Sequence, residues 1–79
     1  MITVRYFAAA AEAAGTDSEP LEAASVAEAR RAAVSRHGDQ LEDVWARCSV
    51  LVDGVRSADP HAPVPSGATV DVLPPFAGG

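Results

Sequence analysis

The chain has no lysine, and cysteine, tryptophan and tyrosine occur once each in its 79 residues. Without lysine the α-amino group is the only amine, so the chain cannot be linked through its own side chains into polymers of itself. A lone cysteine, Cys48, excludes an intramolecular disulfide. The two histidines, His37 and His61, stand apart from each other and from Cys48, so no metal-ligand spacing exists and no metal site is expected. No apolar run approaches the ~18 residues of a membrane span, and no basic segment precedes an apolar one at the start. A soluble, cytoplasmic protein without a membrane partner is therefore expected. Glycine-rich phosphate loops are missing too. Asp53, Asp59 and Asp71 fall in different turns and strands, with nothing to pair them as acid and base. A chain this short cannot enclose a deep substrate pocket and still build a core. As an enzyme acting alone, it looks empty.

What is present reads as one ordinary globular domain, with 48% hydrophobic and 22% charged residues. The net charge is −5, and the six arginines (Arg5, Arg30, Arg31, Arg36, Arg47 and Arg56) are scattered. No basic stripe exists to neutralise phosphates, so nucleic acid is not an expected partner; a basic protein surface suits the charge better.

Ile2-Thr3-Val4-Arg5-Tyr6-Phe7 alternates with period two and predicts a strand. Ala8 to Ala14, stopped by Gly15, predicts one or two helical turns. Thr16 to Ala23 predicts a weak strand at a sheet edge, because Pro20 cannot donate to a ladder. Ser25-Val26-Ala27-Glu28 has the form of a capping box, opening a helix that ends near His37 at Gly38. Val26, Ala29 and Ala33 share its inner face, Arg30, Arg31 and Arg36 point to water, and His37 suits the negative end of the helix dipole. Leu41 to Ala46 predicts a further turn carrying Trp45. Cys48 to Val52 predicts a strand with a buried, inert thiol, and Asp53-Gly54 a tight turn into a short return strand at Val55-Arg56. Asp59 to Gly67 reads as a proline-rich loop, and Thr69 to Leu73 as the last strand, ended by Pro74-Pro75. One main helix over a mixed sheet is an α+β layer architecture.

The end of the chain carries the strongest chemical signal. Pro74-Pro75 favours an extended backbone, so residues 74–79 form a tail leaving the body in a restricted direction, with a reach of roughly 20 Å. Gly78 and Gly79 have no Cβ and fit a channel too narrow for other residues, with the carboxylate leading. A free carboxylate becomes an acyl donor once it is adenylated, and sulfide equivalents then convert it to a thiocarboxylate.

Three stretches resemble the MoaD/ThiS family of ubiquitin-like sulfur carriers, most closely its molybdopterin synthase small-subunit branch. They are Val4 to Gly15, the helix start Ser25 to Ala29, and Val70-Asp71-Val72-Leu73-Pro74-Pro75-Phe76-Ala77-Gly78-Gly79, which is close to that family's Pro-Pro-x-x-Gly-Gly ending. The resemblance implies a β-grasp fold with the first and last strands parallel and central. It implies no bound cofactor, ATP-dependent adenylation of Gly79 by an E1-like enzyme, and sulfur supplied by a donor protein. It further implies that Pro74, Pro75, Phe76, Ala77 and Gly78 thread into a large catalytic subunit within a heterotetramer, where sulfur passes to a cyclic pyranopterin precursor. Carriers for thiazole or another sulfur-containing metabolite, and protein-conjugating modifiers, share the Gly-Gly end. The loop Pro65-Ser66-Gly67-Ala68-Thr69 and the small helix residues Ala29 and Ala33 depart from common family patterns; these bear on stability and packing.

Alternation also divides the sheet. Ile2, Val4, Tyr6, Val50, Val52, Val70 and Val72 form the richer apolar face, expected under the helix. The other face carries Phe7, Leu51 and Leu73 among polar neighbours, and this patch near the tail root is the expected partner-binding surface.

Overall fold

A computed structural model describes residues 1–75. Its elements follow in the order β1 (Ile2–Tyr6), α1 (Ala9–Ala14), β2 (Ser18–Leu21), α2 (Val26–His37), α3 (Asp39–Trp45), β3 (Ser49–Val52), β4 (Val55–Ser57) and β5 (Thr69–Leu73). The five strands form one sheet in the order β2-β1-β5-β3-β4. β1 and β5 run parallel, and every other pairing is antiparallel. The arrangement is the mixed α+β sheet of a β-grasp, ubiquitin-like fold. β5 lies at its centre, so the segment after Leu73 leaves from the best-anchored strand.

Local chemistry explains the boundaries. Pro20 lies in β2 at the sheet edge, where the missing N–H costs no central ladder bond; the strand is shorter than the span from Thr16 to Ala23. Ser25 caps α2 by accepting from Glu28 N, while Glu28 Oε1 reaches back to Ala24 N, one residue before the cap. The Val26 and Ala27 amides, which have no intrahelical acceptor, donate to Ala62 O and Pro60 O of the long loop. The loop thereby clamps the start of α2 and buries Val64. At the hairpin between β3 and β4, Asp53 (φ 48°) and Gly54 (φ 82°) both take positive φ, the requirement of a two-residue primed turn.

The core lies between the sheet and the helices. Val4, Val70 and Val72 on the strands, and Ala29, Ala33 and Leu41 on the helices, are fully buried. Alanine at 29 and 33 has no room to be larger without displacing its neighbours, since both side chains are completely enclosed. α2 does not act alone, because α1 contributes Ala10 and Ala14 and α3 contributes Leu41 and Trp45 to the same core. Val52 was expected in the core and is only half-buried. It pairs with Val55 of the edge strand β4, which is itself exposed. Cys48 precedes β3 instead of lying within it, half-buried, with Sγ 3.1 Å from Val44 O.

Candidate functional site: the open sheet face and the root of the tail

Phe76, Ala77, Gly78 and Gly79 lie outside the described residues. The structure shows where their attachment point sits. Leu73 closes β5, Pro74 is half-buried and Pro75 exposed. Both prolines line a shallow groove with Ala9, Val44 and Arg47, so Pro74 still rests against the body.

The face of the sheet away from the helices is built in cross-strand rows. Arg5 on β1, Asp71 on β5 and Leu51 on β3 are register partners. In the next row Leu73 pairs with Ser49. Phe7 lies one residue past the end of β1, yet its N–H still donates to Val72 O at 3.2 Å, which carries the parallel ladder on beside Leu73. Register thus places Phe7, Leu51 and Leu73 on neighbouring strands of one face, at the end where the tail leaves. Phe7 is 37% exposed, whereas Leu51 and Leu73 are half-buried.

Phe7 is held on both sides. After it, Ala10 N donates to Phe7 O (3.0 Å), closing a turn whose first central residue is Ala8 at φ 51°, ψ −123°. That region is one glycine favours, so an alanine there stores strain of about 1 kcal/mol or more. Before it, the Arg5 guanidinium lies 5.5 Å from the centre of the Phe7 ring. Arg5 is itself tied side-on to Asp71, Nε to Oδ1 at 2.6 Å and Nη2 to Oδ2 at 3.0 Å. Asp71 is 7% exposed, and its hydrogen bonds and charge raise the Arg5 pKa further above its already high value.

A second polar cluster lies at the opposite edge. Glu19 of β2 is 8% exposed; it accepts from Tyr6 Oη at 2.6 Å and Arg36 Nη1 at 2.9 Å, and lies 2.6 Å from His37 Nε2. Burial opposes ionisation of Glu19, but the hydrogen bonds from Tyr6, Arg36 and His37, with the charge of His37, outweigh it and hold the carboxyl below the usual glutamate range. Burial, and next the bond to Glu19, push the Tyr6 phenol up. His37 is therefore not isolated, and its location at the end of α2 places its ring within hydrogen-bond distance of Glu19. Arg30 likewise does not simply face water; it is half-buried and forms a fork with Glu42 of α3 at 3.1 and 2.8 Å. The alternation Glu19-Pro20-Leu21, with Leu21 buried, was the available signal for Glu19, since both fall on the same face.

Burial pushes the Cys48 thiol up, the wrong direction for a nucleophile. Among the described residues no group of three His, Cys, Asp or Glu side chains is placed to hold a metal ion, and no helix is long and apolar enough to cross a membrane.

The profile of the ThiS family matches residues 4–79. No curated protein is significantly similar in sequence. SAMP1, a small archaeal modifier protein of Haloferax volcanii, is 27% identical, with 99% of this chain and 98% of that one aligned and a TM-score of 0.84. In the BexX/CysO complex of Amycolatopsis orientalis, one chain is 24% identical, with full coverage of both (100% and 100%) and a TM-score of 0.82. The complex of subunits 1 and 2 of the molybdopterin-converting factor of Helicobacter pylori contains a chain 20% identical, covering 99% and 97%, with a TM-score of 0.71.

Proposed function

The chain belongs to the ThiS family of ubiquitin-like sulfur carriers, and from that premise we propose that it carries sulfur as a thiocarboxylate on Gly79 for molybdopterin synthesis. The observation that carries this reading is a family match that runs through the Gly-Gly end, on a fold whose central strand leads directly into that segment. The ending Leu73-Pro74-Pro75-x-x-Gly-Gly supports the molybdopterin branch, as does the likeness in fold to a molybdopterin-converting factor chain.

In the proposed sequence an E1-like enzyme joins the Gly79 carboxylate to the α-phosphate of ATP, releasing pyrophosphate. A sulfide equivalent from a donor protein attacks the acyl carbon and displaces AMP, leaving the thiocarboxylate. The body of the domain takes no direct part in this chemistry. It supplies recognition through Phe7, Leu51 and Leu73, and it aims the tail through Pro74 and Pro75 into the large subunit, where Phe76, Ala77 and Gly78 thread the channel. Two of the similar structures are complexes with a partner protein, which supports a carrier working with a separate catalytic subunit, in a heterotetramer in the molybdopterin case.

One observation favours a second reading: the SAMP1 likeness is to a protein named as a modifier. Reconstitution separates the two. The thiocarboxylated chain, mixed with a molybdopterin synthase large subunit and the cyclic pyranopterin precursor, is expected to lose its sulfur as the dithiolene forms. Covalent adducts on lysines of other proteins, with no transfer to the pterin, would favour the modifier.

A further inference from the structure

The open face contains one arrangement that hydrophobic docking does not require. Asp71 is a carboxylate buried to 7% exposure in the central strand of a face otherwise half-open to solvent. It engages Arg5 from the side, through Nε and Nη2. A guanidinium has five N–H groups in a fixed plane; two are used here, which leaves three. The Phe7 ring approaches the guanidinium at 5.5 Å to its centroid, and among the described residues only Asp71 accepts from the guanidinium. Its side chain keeps 52% of its surface exposed. The result is a planar donor edge, fixed in orientation by Asp71 and set beside the apolar patch.

We propose that Arg5 is a specificity-determining residue of the docking face, recognising a carboxylate on the surface of the adenylating enzyme, with Asp71 as the residue that positions it. A guanidinium recognises a carboxylate through paired N–H bonds, and holding it in place beforehand reduces the entropy lost on binding. Exposure supports this assignment. The net charge of −5 draws a basic surface at long range, but the Asp71 side chain is 10% exposed and both its oxygens face Arg5, whereas the Arg5 side chain is 52% exposed, so the group this part of the face offers a partner is the outer N–H edge of Arg5. The complementary surface is accordingly apolar opposite Phe7, Leu51 and Leu73, with an aspartate or glutamate opposite Arg5.

The inference rests on the sulfur-carrier reading, and its test is the ATP–pyrophosphate exchange that an E1-like adenylating enzyme from the same organism catalyses with the full chain. Arg5→Met is expected to raise the Km for the carrier tenfold or more, with kcat changed less than twofold. Arg5→Lys, which keeps the charge without the fork, should recover only part of that loss, and Asp71→Asn should raise Km by about threefold. Removing Arg5 alone leaves a buried carboxylate unpaired, so the double variant Arg5→Gln, Asp71→Asn guards against misfolding. Its melting temperature should match the parent while its Km stays raised. A wild-type Km in the folded double variant, or in Arg5→Met, would overturn the role of Arg5 and leave the carrier reading standing. No exchange with the parent chain would overturn both.

Discussion

β1, β5 and β3 each present two faces, and the two differ in kind. Towards the helices, Ile2, Val4, Tyr6, Val50, Val70 and Val72 are at most 7% exposed. On the other side the same strands show Thr3, Arg5, Leu51, Asp71 and Leu73, in a mixture of ion pair, hydroxyl and half-covered hydrophobe. The helix side maximises apolar burial, worth about 1.5–3 kcal/mol for each large aliphatic side chain. The open side is assembled from contacts that add little to stability and much to orientation. One backbone thus separates the residues that keep the domain folded from those proposed to meet a partner protein.

Substitution on either side of one strand gives the largest contrast. Val70 is fully buried between Val4 and Val52 in register. Val70→Asp places an uncompensated charge in the core, at a cost of several kcal/mol against a total stability of about 5–15. The variant should be unfolded by circular dichroism at 25 °C. Thr3→Asp, on the exposed side of β1, should shift stability by no more than about 0.5 kcal/mol. Comparable losses from both would break the division.

The Glu19 cluster sharpens the comparison, because it is a polar element on the buried side. The Glu19 carboxyl is held below its usual range in the folded state. Its contribution to stability is therefore complete above the unfolded value near ~4.3 and is lost as pH falls through the lower folded value. Acid denaturation followed by fluorescence of Trp45 should show Glu19→Gln flattening the stability profile below about pH 4.3. At neutral pH the same variant should lose about 1–3 kcal/mol, from weakened bonds to Tyr6, Arg36 and His37. An unchanged acid profile would mean that the cluster adds nothing.

On the open face the effect on stability should be smallest and that on binding largest. Leu51→Arg and, separately, Phe7→Arg should melt within a few degrees of the parent and lose affinity for the adenylating enzyme. Wild-type affinity in either folded variant would move the docking surface elsewhere. Ala8→Gly should raise stability slightly, by relief of the positive-φ strain beside Phe7.

Much of this architecture was legible in local patterns. Period-two alternation identified the central strands and both faces. Ser25, Glu28 and Gly38 bounded α2, Pro20 marked an edge strand, and Asp53-Gly54 marked the hairpin. Long-range polar pairing was not legible. Arg36 and His37 come from a helix end, Glu19 from an edge strand, and no short-range pattern joins them. Arg5 and Asp71 lie 66 positions apart in the chain, and their ion pair depends on the parallel register of β1 and β5. Cys48 was placed in a strand because Cys-Ser-Val-Leu-Val is uniformly compatible with one; the hydrogen bond from Cys48 N to Trp45 O keeps it in the turn that closes α3. For the candidate site, sequence and register agree on the surroundings of the tail root, while residues 76–79 rest on the motif and the family match.

The proposed sulfur transfer depends on the terminal carboxylate. The measurement that tests it most directly is the intact mass of the chain after incubation with the adenylating enzyme, ATP and a sulfide source, run beside a variant lacking Gly79. The parent should gain the mass difference of one oxygen replaced by sulfur. The shortened chain, checked for folding by circular dichroism, should not. An equal shift in both would contradict the assignment of sulfur to Gly79.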